Sequence, residues 1–176
     1  MIFTELLLAT LAVSPAFALP ATSTEVATEV FSFSNWIEGV ITNPDGDNLT
    51  PEEAVAAWAA SVNGTQVQTL DKRTPLTCPG YSFCQIVDAV WCINYLATIG
   101  KQGQQCEVTT AANWCGHGTA RLNGLTPVVG ASTSSNCNDV ARGGGYIMDA
   151  CSRSDGLVSG TAPAYGNGNL IVEIRN

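Results

Sequence analysis

The chain of 176 residues has no lysine or arginine before position 72 and no cysteine before position 78. Histidine occurs once, at His117, and no two cysteines have the C-x-x-C spacing that is common in zinc sites. The G-x-S-x-G motif of serine hydrolases and the phosphate-binding G-x-x-x-x-G-K-[ST] motif are also missing. These absences argue against zinc, nucleotide and serine-hydrolase chemistry, so we expect no metal and no cofactor.

Long hydrophobic runs are missing as well, apart from one near the N-terminus. An apolar run extends from Leu6 to Val13, and small residues follow at Ala16 and Ala18. This pattern is typical of a secretory signal peptide, so we predict that residues 1–18 are removed by cleavage after Ala18. Because no other run reaches the ~20 residues of a membrane span, we expect a secreted, extracellular product with no transmembrane segment.

Basic charge first appears at Lys72-Arg73, which lies on a boundary of composition. Residues 19–73 contain eight acids against these two bases, a net charge of −6, and no cysteine. Residues 74–176 contain six acids against five bases, a net charge of −1, and all seven cysteines. We therefore interpret Lys72-Arg73 as the cleavage site of a kexin-like protease that separates a pro-segment from a domain. The domain has no basic patch, so we expect no nucleic-acid partner.

The pro-segment, residues 19–73, predicts two short helices. An apolar stripe at steps of three and four residues indicates the first, through Val26, Val30, Phe33, Ile37 and Val40. The second has Thr50 as N-cap, Pro51 as first helical residue and Glu53 as the capping-box acid. Since two short helices have no core of their own, we expect them to fold against the domain, as a folding aid or a mask.

Both N-glycosylation sequons lie in the same pro-segment, at Asn48 and Asn63. Proline follows Thr50 of the first sequon, which makes Asn48 the poorer acceptor. The domain that we expect to be released, residues 74–176, contains no sequon.

The cysteines are confined to the domain and predict a disulfide framework, as in other small secreted proteins. Because their number is odd, one thiol is left unpaired or pairs between chains, so the product is either a monomer or a disulfide-linked dimer. The cysteines are Cys78, Cys84, Cys92, Cys106, Cys115, Cys137 and Cys151.

Helical spacing restricts which cysteines can form a bridge. We predict one helix in residues 84–100 and another in residues 134–151, from apolar residues that recur every three or four positions. The two cysteines within the first helix would lie ~12 Å apart and those within the second ~21 Å apart, which is too far for a bond. Each helix is therefore expected to be bonded to another element, whereas Cys106 and Cys115 are close enough in sequence to pair with each other.

The rest of the domain predicts β-strands separated by Gly, Asn and Pro turns, namely residues 106–110, 118–124, 126–132, 156–162 and 169–175. Glycines 143–145 interrupt the second helix at a cost of ~1 kcal/mol each, and we explain them by close packing on a sheet. The expected fold is α+β, an antiparallel sheet of about five strands with two helices on one face, held by disulfides.

Catalytic constellations are weak in this domain. Cys115 and His117 lie two positions apart, but the cysteine is better explained as a bridge than as a nucleophile. Asp139, Asp149 and Asp155 leave open a carboxylate pair for hydrolysis of a sugar polymer. We therefore expect binding rather than catalysis and no catalytic residue, with a small secreted cell-wall hydrolase as the alternative.

Four stretches of the domain carry a family resemblance. In order and spacing, "GKQGQQC", "WCGHGTARLNG", "SSNCNDVARGGGYIMDAC" and "APAYGNGNLIVEIRN" resemble the virally encoded killer toxin of smut fungi and its chromosomal relatives in filamentous fungi. The resemblance covers about residues 81–175. It implies an α/β sandwich, secretion, and growth inhibition of competing fungi, which in the family is attributed to interference with calcium uptake.

Together these patterns predict a proprotein-processed fungal effector or killer-toxin-like protein that binds an extracellular or membrane-surface protein. Its action would be growth inhibition, interference with an ion channel, or virulence in the plant apoplast. The candidate interaction surface is the pair of loops that contain Asn113, Trp114, His117, Asn167 and Asn169. A structural surface protein, cross-linked through the odd cysteine, is a further alternative.

Overall fold

A computed structural model describes residues 31–62 and 75–176 of the chain. The predicted signal peptide with Ala18, the cleavage site Lys72-Arg73 and the sequon at Asn63 lie outside these ranges and remain predictions. Asn48 of the first sequon is half-buried, and its Nδ2 donates a hydrogen bond to the carbonyl of Asn43 at 2.7 Å.

The first two helices lie in the predicted pro-segment, and local caps define where they begin. Helix α1 (Phe33–Thr42) has Ser32 as its N-cap in an extended conformation, so it begins later than the apolar stripe from Val26 suggests. Helix α2 (Pro51–Val62) begins with the predicted capping box. The Glu53 carboxylate accepts from the Thr50 amide at 2.8 Å, and the Thr50 hydroxyl accepts from the Glu53 amide at 3.3 Å.

Both helices predicted in the domain are confirmed. Helix α3 (Ile86–Gly100) buries one broad apolar face, and α4 (Cys137–Cys151) buries one broad face that includes three consecutive glycines. Asn136 caps α4, since its side chain accepts from the Asn138 amide at 2.8 Å.

The described residues also form eight strands, all antiparallel to their partners. Their bounds are β1 (Cys84–Gln85), β2 (Gln105–Val108), β3 (Ala111–His117), β4 (Ala120–Leu125), β5 (Thr133–Asn136), β6 (Leu157–Val158), β7 (Gly160–Ala164) and β8 (Asn167–Arg175). Four of them form the main sheet in the order β3-β4-β8-β7, whereas β1 pairs with β6 and β2 with β5.

The predicted strands differ from these in several places. Residues 126–132, predicted as a strand, form a turn with Gly130 at φ +78° and an exposed Val129. Residues 134–136, predicted as the start of the second helix, belong to β5. Strand β3, which the sequence did not predict, pairs along its length with β4, with a bulge at Trp114. The α+β fold with antiparallel pairing is confirmed, although the main sheet has four strands rather than about five.

The described elements stack in three layers. Helices α3 and α4 pack on one face of the main sheet, and α1 and α2 pack on the far side of those two helices. The core runs continuously through the layers, from Val172 and Ile174 in the sheet to Phe33 and Ile37 in α1. The expectation that the pro-segment folds against the domain is therefore confirmed for residues 31–62.

Three disulfides hold the domain together. They join Cys78 to Cys151, Cys92 of α3 to Cys115 of β3, and Cys106 of β2 to Cys137 of α4. Each helix is thus bonded to another element, as predicted. The suggested pairing of Cys106 with Cys115 is wrong, because Cys115 faces α3 across a Cα–Cα distance of 5.6 Å.

The unpaired cysteine is Cys84, in β1, and it is only 1 % exposed. Its Sγ lies 3.5 Å from the carbonyl oxygen of Val158, and burial raises the pKa of its thiol to about 12. A disulfide-linked dimer through this thiol would require the fold to open, which argues against the dimer and against a cross-linked structural protein. Three intramolecular disulfides also indicate that the chain matures in an oxidising environment.

Candidate functional site: the helical face and the segment that covers it

The residues predicted as an interaction surface do not lie on one surface. Asn113 is exposed on β3, where its Nδ2 donates to Asn123 Oδ1 on β4 at 2.8 Å. Trp114 turns the other way at the bulge, and its ring covers Gly124, which has no side chain to obstruct it. Its indole N–H donates to the Glu107 carbonyl at 3.1 Å, so Trp114 joins β3 to β2.

His117 belongs to a stack of rings on α3. Its imidazole lies parallel to the Trp91 ring with centroids 4.2 Å apart, and Trp91 stacks in turn on Tyr95 at 5.8 Å. Trp91 is nevertheless 38 % exposed. His117 Nε2 also lies 4.0 Å from the Asp88 carboxylate, next to the turn that Asp88 holds by accepting the Thr119 amide at 2.7 Å.

Asn167 and Asn169 lie at the start of β8, whereas His117 pairs with Ala120 at the end of the sheet where β8 finishes. The Asn167 amide donates to three oxygens of β5, at 3.0 to 3.1 Å, and its own Oδ1 accepts the Asn169 amide. Asn167 thus holds β5 against β8.

A more coherent site is the outer face of α3 and α4, which α1 and α2 cover. Asp149, in the last turn of α4, accepts the first two amides of α1: Phe33 N at 2.6 Å and Ser34 N at 3.0 Å. It also accepts the Ser32 hydroxyl at 2.8 Å. A carboxylate is unfavourable at the C-terminus of its own helix but favourable at the N-terminus of another. The position of Asp149 is therefore explained by α1.

A second polar contact joins the two helices about two turns nearer the N-terminus of α4. Arg142 donates to both carboxylate oxygens of Glu38, at 2.6 and 3.0 Å, and to Asp139 at 2.9 Å. Its guanidinium also lies 5.4 Å from the ring centre of Tyr165. The hydrogen bond from Arg142 lowers the pKa of the Glu38 carboxyl, and the same bond raises the pKa of Arg142.

Three consecutive glycines let α4 approach a different neighbour on each side. A Cβ on Gly143 would lie 2.8 Å from the Pro163 carbonyl in the sheet, and one on Gly144 would lie 2.9 Å from Ile93 of α3. A Cβ on Gly145 would lie 3.1 to 3.3 Å from Ile37, Ser34 and Phe33, all in α1. Close packing on the sheet, the predicted reason for the glycines, holds for Gly143 alone.

Apolar burial accompanies these contacts. Phe33 and Ile37 of α1 are fully buried, and Trp36 and Trp58 are nearly so. The rings of Phe33 and Trp58 lie 6.0 Å apart between centroids, which joins α1 to α2. Because a fully buried side chain of this size contributes about 1.5–3 kcal/mol, the segment is a substantial part of the core.

A cleft of about 670 Å³ remains at the seam between α1, α4 and the β7–β8 turn. Glu38 and Arg142 line it from the two helices, Pro163 lines it from β7, and Tyr165 lines it from the turn. Pro75, the first residue described after the predicted cleavage site, lies in the same wall. Since α1 forms one side, the cleft exists only while α1 is docked.

The three acids considered for hydrolysis have other partners. Asp149 caps α1, Asp139 bonds to Arg142, and Asp155 bonds to Arg153 at 2.6 Å. Asp139 and Asp149 are ten residues apart on α4, about 15 Å along its axis, whereas paired glycosidase carboxylates lie about 5–9.5 Å apart.

Within residues 31–62 and 75–176, no three His, Cys, Asp or Glu side chains lie close enough together to hold a metal ion. The same ranges contain no helix that is long and apolar enough to cross a membrane.

Sequence reasoning did not identify Asp149, Arg142 or Gly145 as a docking site. One local signal was present: an acid in the last turn of a predicted helix, where the helix dipole disfavours it. The contacts themselves join residues more than one hundred positions apart, and no local pattern indicates such a pairing.

A comparison with known protein families shows which part of the chain one family covers. The model of a family described as "Domain of unknown function (DUF8794)" matches residues 73–176. The match begins at the second residue of the predicted cleavage site and contains α3, α4, all the described strands and all seven cysteines. Helices α1 and α2 lie outside it. No curated protein matches the chain.

Proposed function

The chain belongs to the DUF8794 family through residues 73–176, and we propose that it is the precursor of a secreted, disulfide-rich binding protein of the effector or killer-toxin type. A signal peptide directs it to the secretory pathway. A kexin-like protease then cuts after Lys72-Arg73 and separates the segment that contains α1 and α2 from the domain. The domain acts by binding a protein at the surface of a competing fungus or in the plant apoplast.

The observation that carries this proposal is that a separable segment covers one face of a domain with its own covalent frame. All three disulfides lie within residues 78–151, so cleavage at 72–73 breaks none of them. Within residues 31–62, the contacts that hold the segment to the domain are hydrogen bonds, an ion pair and apolar packing. After one peptide bond is cleaved, the segment can therefore leave by reversible dissociation, without unfolding of the domain.

Cleavage makes the segment easier to dissociate from α3 and α4, although it changes none of the contacts between them. While the chain is intact, the tether holds the segment near its face at an effective concentration in the millimolar range. After cleavage and dilution to nanomolar concentration, the segment dissociates unless its affinity is comparably tight. The uncovered face of α3 and α4 then presents Gly145, Asp149 and Arg142 to solvent.

Secretion of the full chain from a host with a kexin-like protease tests this proposal. We expect an intact mass that starts at Thr74 and is six hydrogens lighter than the reduced sequence, because three disulfides form. A variant with Lys72→Ala and Arg73→Ala should be secreted uncut and otherwise unchanged. A mass that starts at Leu19 in the unaltered chain would overturn the processing step.

Growth of a competitor fungus then compares the cut protein, the uncut variant, and a reduced and alkylated sample, with and without added calcium. We expect inhibition by the oxidised, cut form alone. Relief by calcium would favour the mechanism attributed to the killer-toxin family. Equal activity of the cut and uncut forms would contradict the masking role. If no form changes fungal growth, the same samples are compared for binding to plant cell-wall extracts.

A further inference from the structure

We propose that the face uncovered by cleavage is a receptor for an amphipathic α-helix of the partner, and that this helix shares the chemistry of α1. The inference rests on the proposed release of the segment. The structure favours a helix because Asp149 and Gly145 contact the backbone at the start of α1, and Arg142 contacts a side chain one turn further along it.

The first feature is the pair of free amides at a helix start. The first turn of a helix has backbone N–H groups with no partner inside the helix. Asp149 accepts two consecutive ones, from Phe33 and Ser34, while the Ser32 hydroxyl accepts the third from Asn35 at 3.2 Å. A β-strand directs consecutive amides to opposite sides, so one carboxylate cannot bind its amides in this way.

The second feature is close approach of the helix backbone. Gly145 leaves a notch in α4 where the Ser34 Cα and the Phe33 carbonyl oxygen fit. A partner helix that enters this notch needs a small residue at its second position, as α1 has in Ser34. Ser34 Oγ is buried without a hydrogen-bond partner, which indicates that small size, rather than the hydroxyl, is what the notch requires.

The third feature is the order of side chains along the helix. Phe33 and Ile37 occupy the first and fifth positions of α1 and are fully buried, and Glu38 at the sixth position meets Arg142. The partner helix is thus expected to carry bulky apolar residues four positions apart and an acid directly after the second one. This is the helix-in-groove mode of recognition, with an added carboxylate clasp.

The test uses the full-length protein with a specific protease site in place of Lys72-Arg73, so that cutting does not depend on a host enzyme. A fluorescent peptide of residues 31–62 is exchanged into the cut complex in excess, and its anisotropy reports occupancy of the face. The competitor is a peptide of about 16 residues, long enough to be helical on an alanine–lysine background. Apart from alanine and lysine, it carries only an N-cap serine and the Phe, Ser, Ile and Glu of α1, each at the same relative position as in α1.

We expect this peptide to displace the probe at least tenfold more effectively than a scrambled peptide of the same composition. Replacing its second-position Ser by Ala should leave displacement unchanged, and replacing it by Val should abolish displacement. In the protein, Asp149→Ala should weaken binding of the probe about 2- to 30-fold, the range for loss of an N-cap. Asp149→Asn retains an acceptor and should lose less.

Two controls separate recognition from general effects of charge or folding. Asp155→Ala removes an acid that faces Arg153, away from α1, and should leave affinity unchanged. Arg142→Gln and a Glu→Gln change in the peptide should each weaken binding about two- to fivefold, and together no more than either one alone.

The proposal is overturned if the peptide of residues 31–62 binds but the patterned peptide performs no better than its scrambled form. The face would then be specific to its own segment. It is likewise overturned if Asp149→Ala and the Ser→Val peptide leave affinity unchanged. A chain that is never cut in its natural host would instead refute the proposed function, while these affinities in the engineered cut complex would still stand.

Discussion

At the scale of single residues, the thiol of Cys84 connects the odd cysteine count to a measurable property. It lies beneath the β1–β6 pair, and burial raises its pKa far above the pH of most solutions. A thiol that is both buried and protonated reacts slowly, because the thiolate is the nucleophile.

We predict that Ellman's reagent finds no reactive thiol in the native, oxidised protein and one thiol per chain after denaturation. Peptide mapping should place the label on Cys84. Rapid labelling of the native protein would contradict this prediction. It would show that β1 opens readily and that Cys84 is accessible for a disulfide between chains. Cys84→Ala provides the control, with no label in either state.

Single residues also show which contacts can be predicted from the sequence and which cannot. Thr50 and Glu53 lie three positions apart, so their capping box is visible in the sequence and appears in the structure. Asp149 lies 116 positions from Phe33. Its partner is fixed only when α1 crosses α4, so its role as a cap was not predictable.

At the scale of elements, α4 is a helix of low intrinsic propensity stabilised by three neighbours. Its glycines each cost about 1 kcal/mol relative to alanine, and each contacts a different neighbour. A substitution therefore has an effect that depends on which neighbour is present.

We predict that Gly145→Ala lowers the free energy of unfolding of the full chain, since overpacking against α1 costs about 1–3 kcal/mol and the gain in propensity is about 1 kcal/mol. In a background of Phe33→Ala with Ile37→Ala, which loosens α1, the same change should be neutral or stabilising. Urea unfolding of the four proteins by circular dichroism measures both values.

Gly143→Ala is the matched control, because its Cβ would meet the backbone of the sheet at Pro163 rather than α1. It should destabilise both backgrounds by a similar amount. If Gly145→Ala behaves in the same way as Gly143→Ala, the glycine at 145 does not serve the docking of α1.

Element prediction from the sequence succeeded for helices and was poorer for strands. Helices α3 and α4 have periodic apolar residues, a local signal. Strand β3 contains Asn113, Gly116 and His117, which are not typical strand residues, and its extended shape comes from pairing with β4. Residues 126–132 contain two valines, but Pro127 and the positive φ of Gly130 place them in a turn.

At the scale of the whole molecule, the protonation of Glu38 makes the docking of α1 on α4 depend on pH. Its carboxyl has a lowered pKa in the docked state, so the pair with Arg142 stabilises docking fully above the ordinary glutamate pKa of 4.5 and loses that contribution as pH falls below it. Glu38 is about half exposed, so the contribution is at most about 1 kcal/mol.

We predict that the urea midpoint of the full chain falls between pH 6 and pH 4 by more than that of the Glu38→Gln variant. Other carboxylates titrate equally in both proteins, and the difference isolates this one. Arg142→Gln should reduce the pH dependence in the same direction. Identical slopes for all three proteins would show that the pair does not stabilise docking.

Redox conditions act on the molecule through a different bond. Cys78 is exposed, whereas the cysteines of the other two disulfides are at most 6 % exposed. We predict that mild reduction and alkylation label Cys78 and Cys151 first, with the other two bridges intact. Since this bond spans 73 residues, Cys78→Ala with Cys151→Ala should lower the free energy of unfolding by about 4 kcal/mol. Simultaneous labelling of all six cysteines would contradict this order.

The distance along the chain between Phe33 and Asp149 also has a consequence in time. Ribosomes add about 5–20 residues per second, so the 116 positions that separate the two residues correspond to roughly 6–23 s of synthesis. During that interval α1 exists without the surface that it covers. The segment is therefore already present when the surface of α4 that it covers leaves the ribosome, and the two meet as α4 folds.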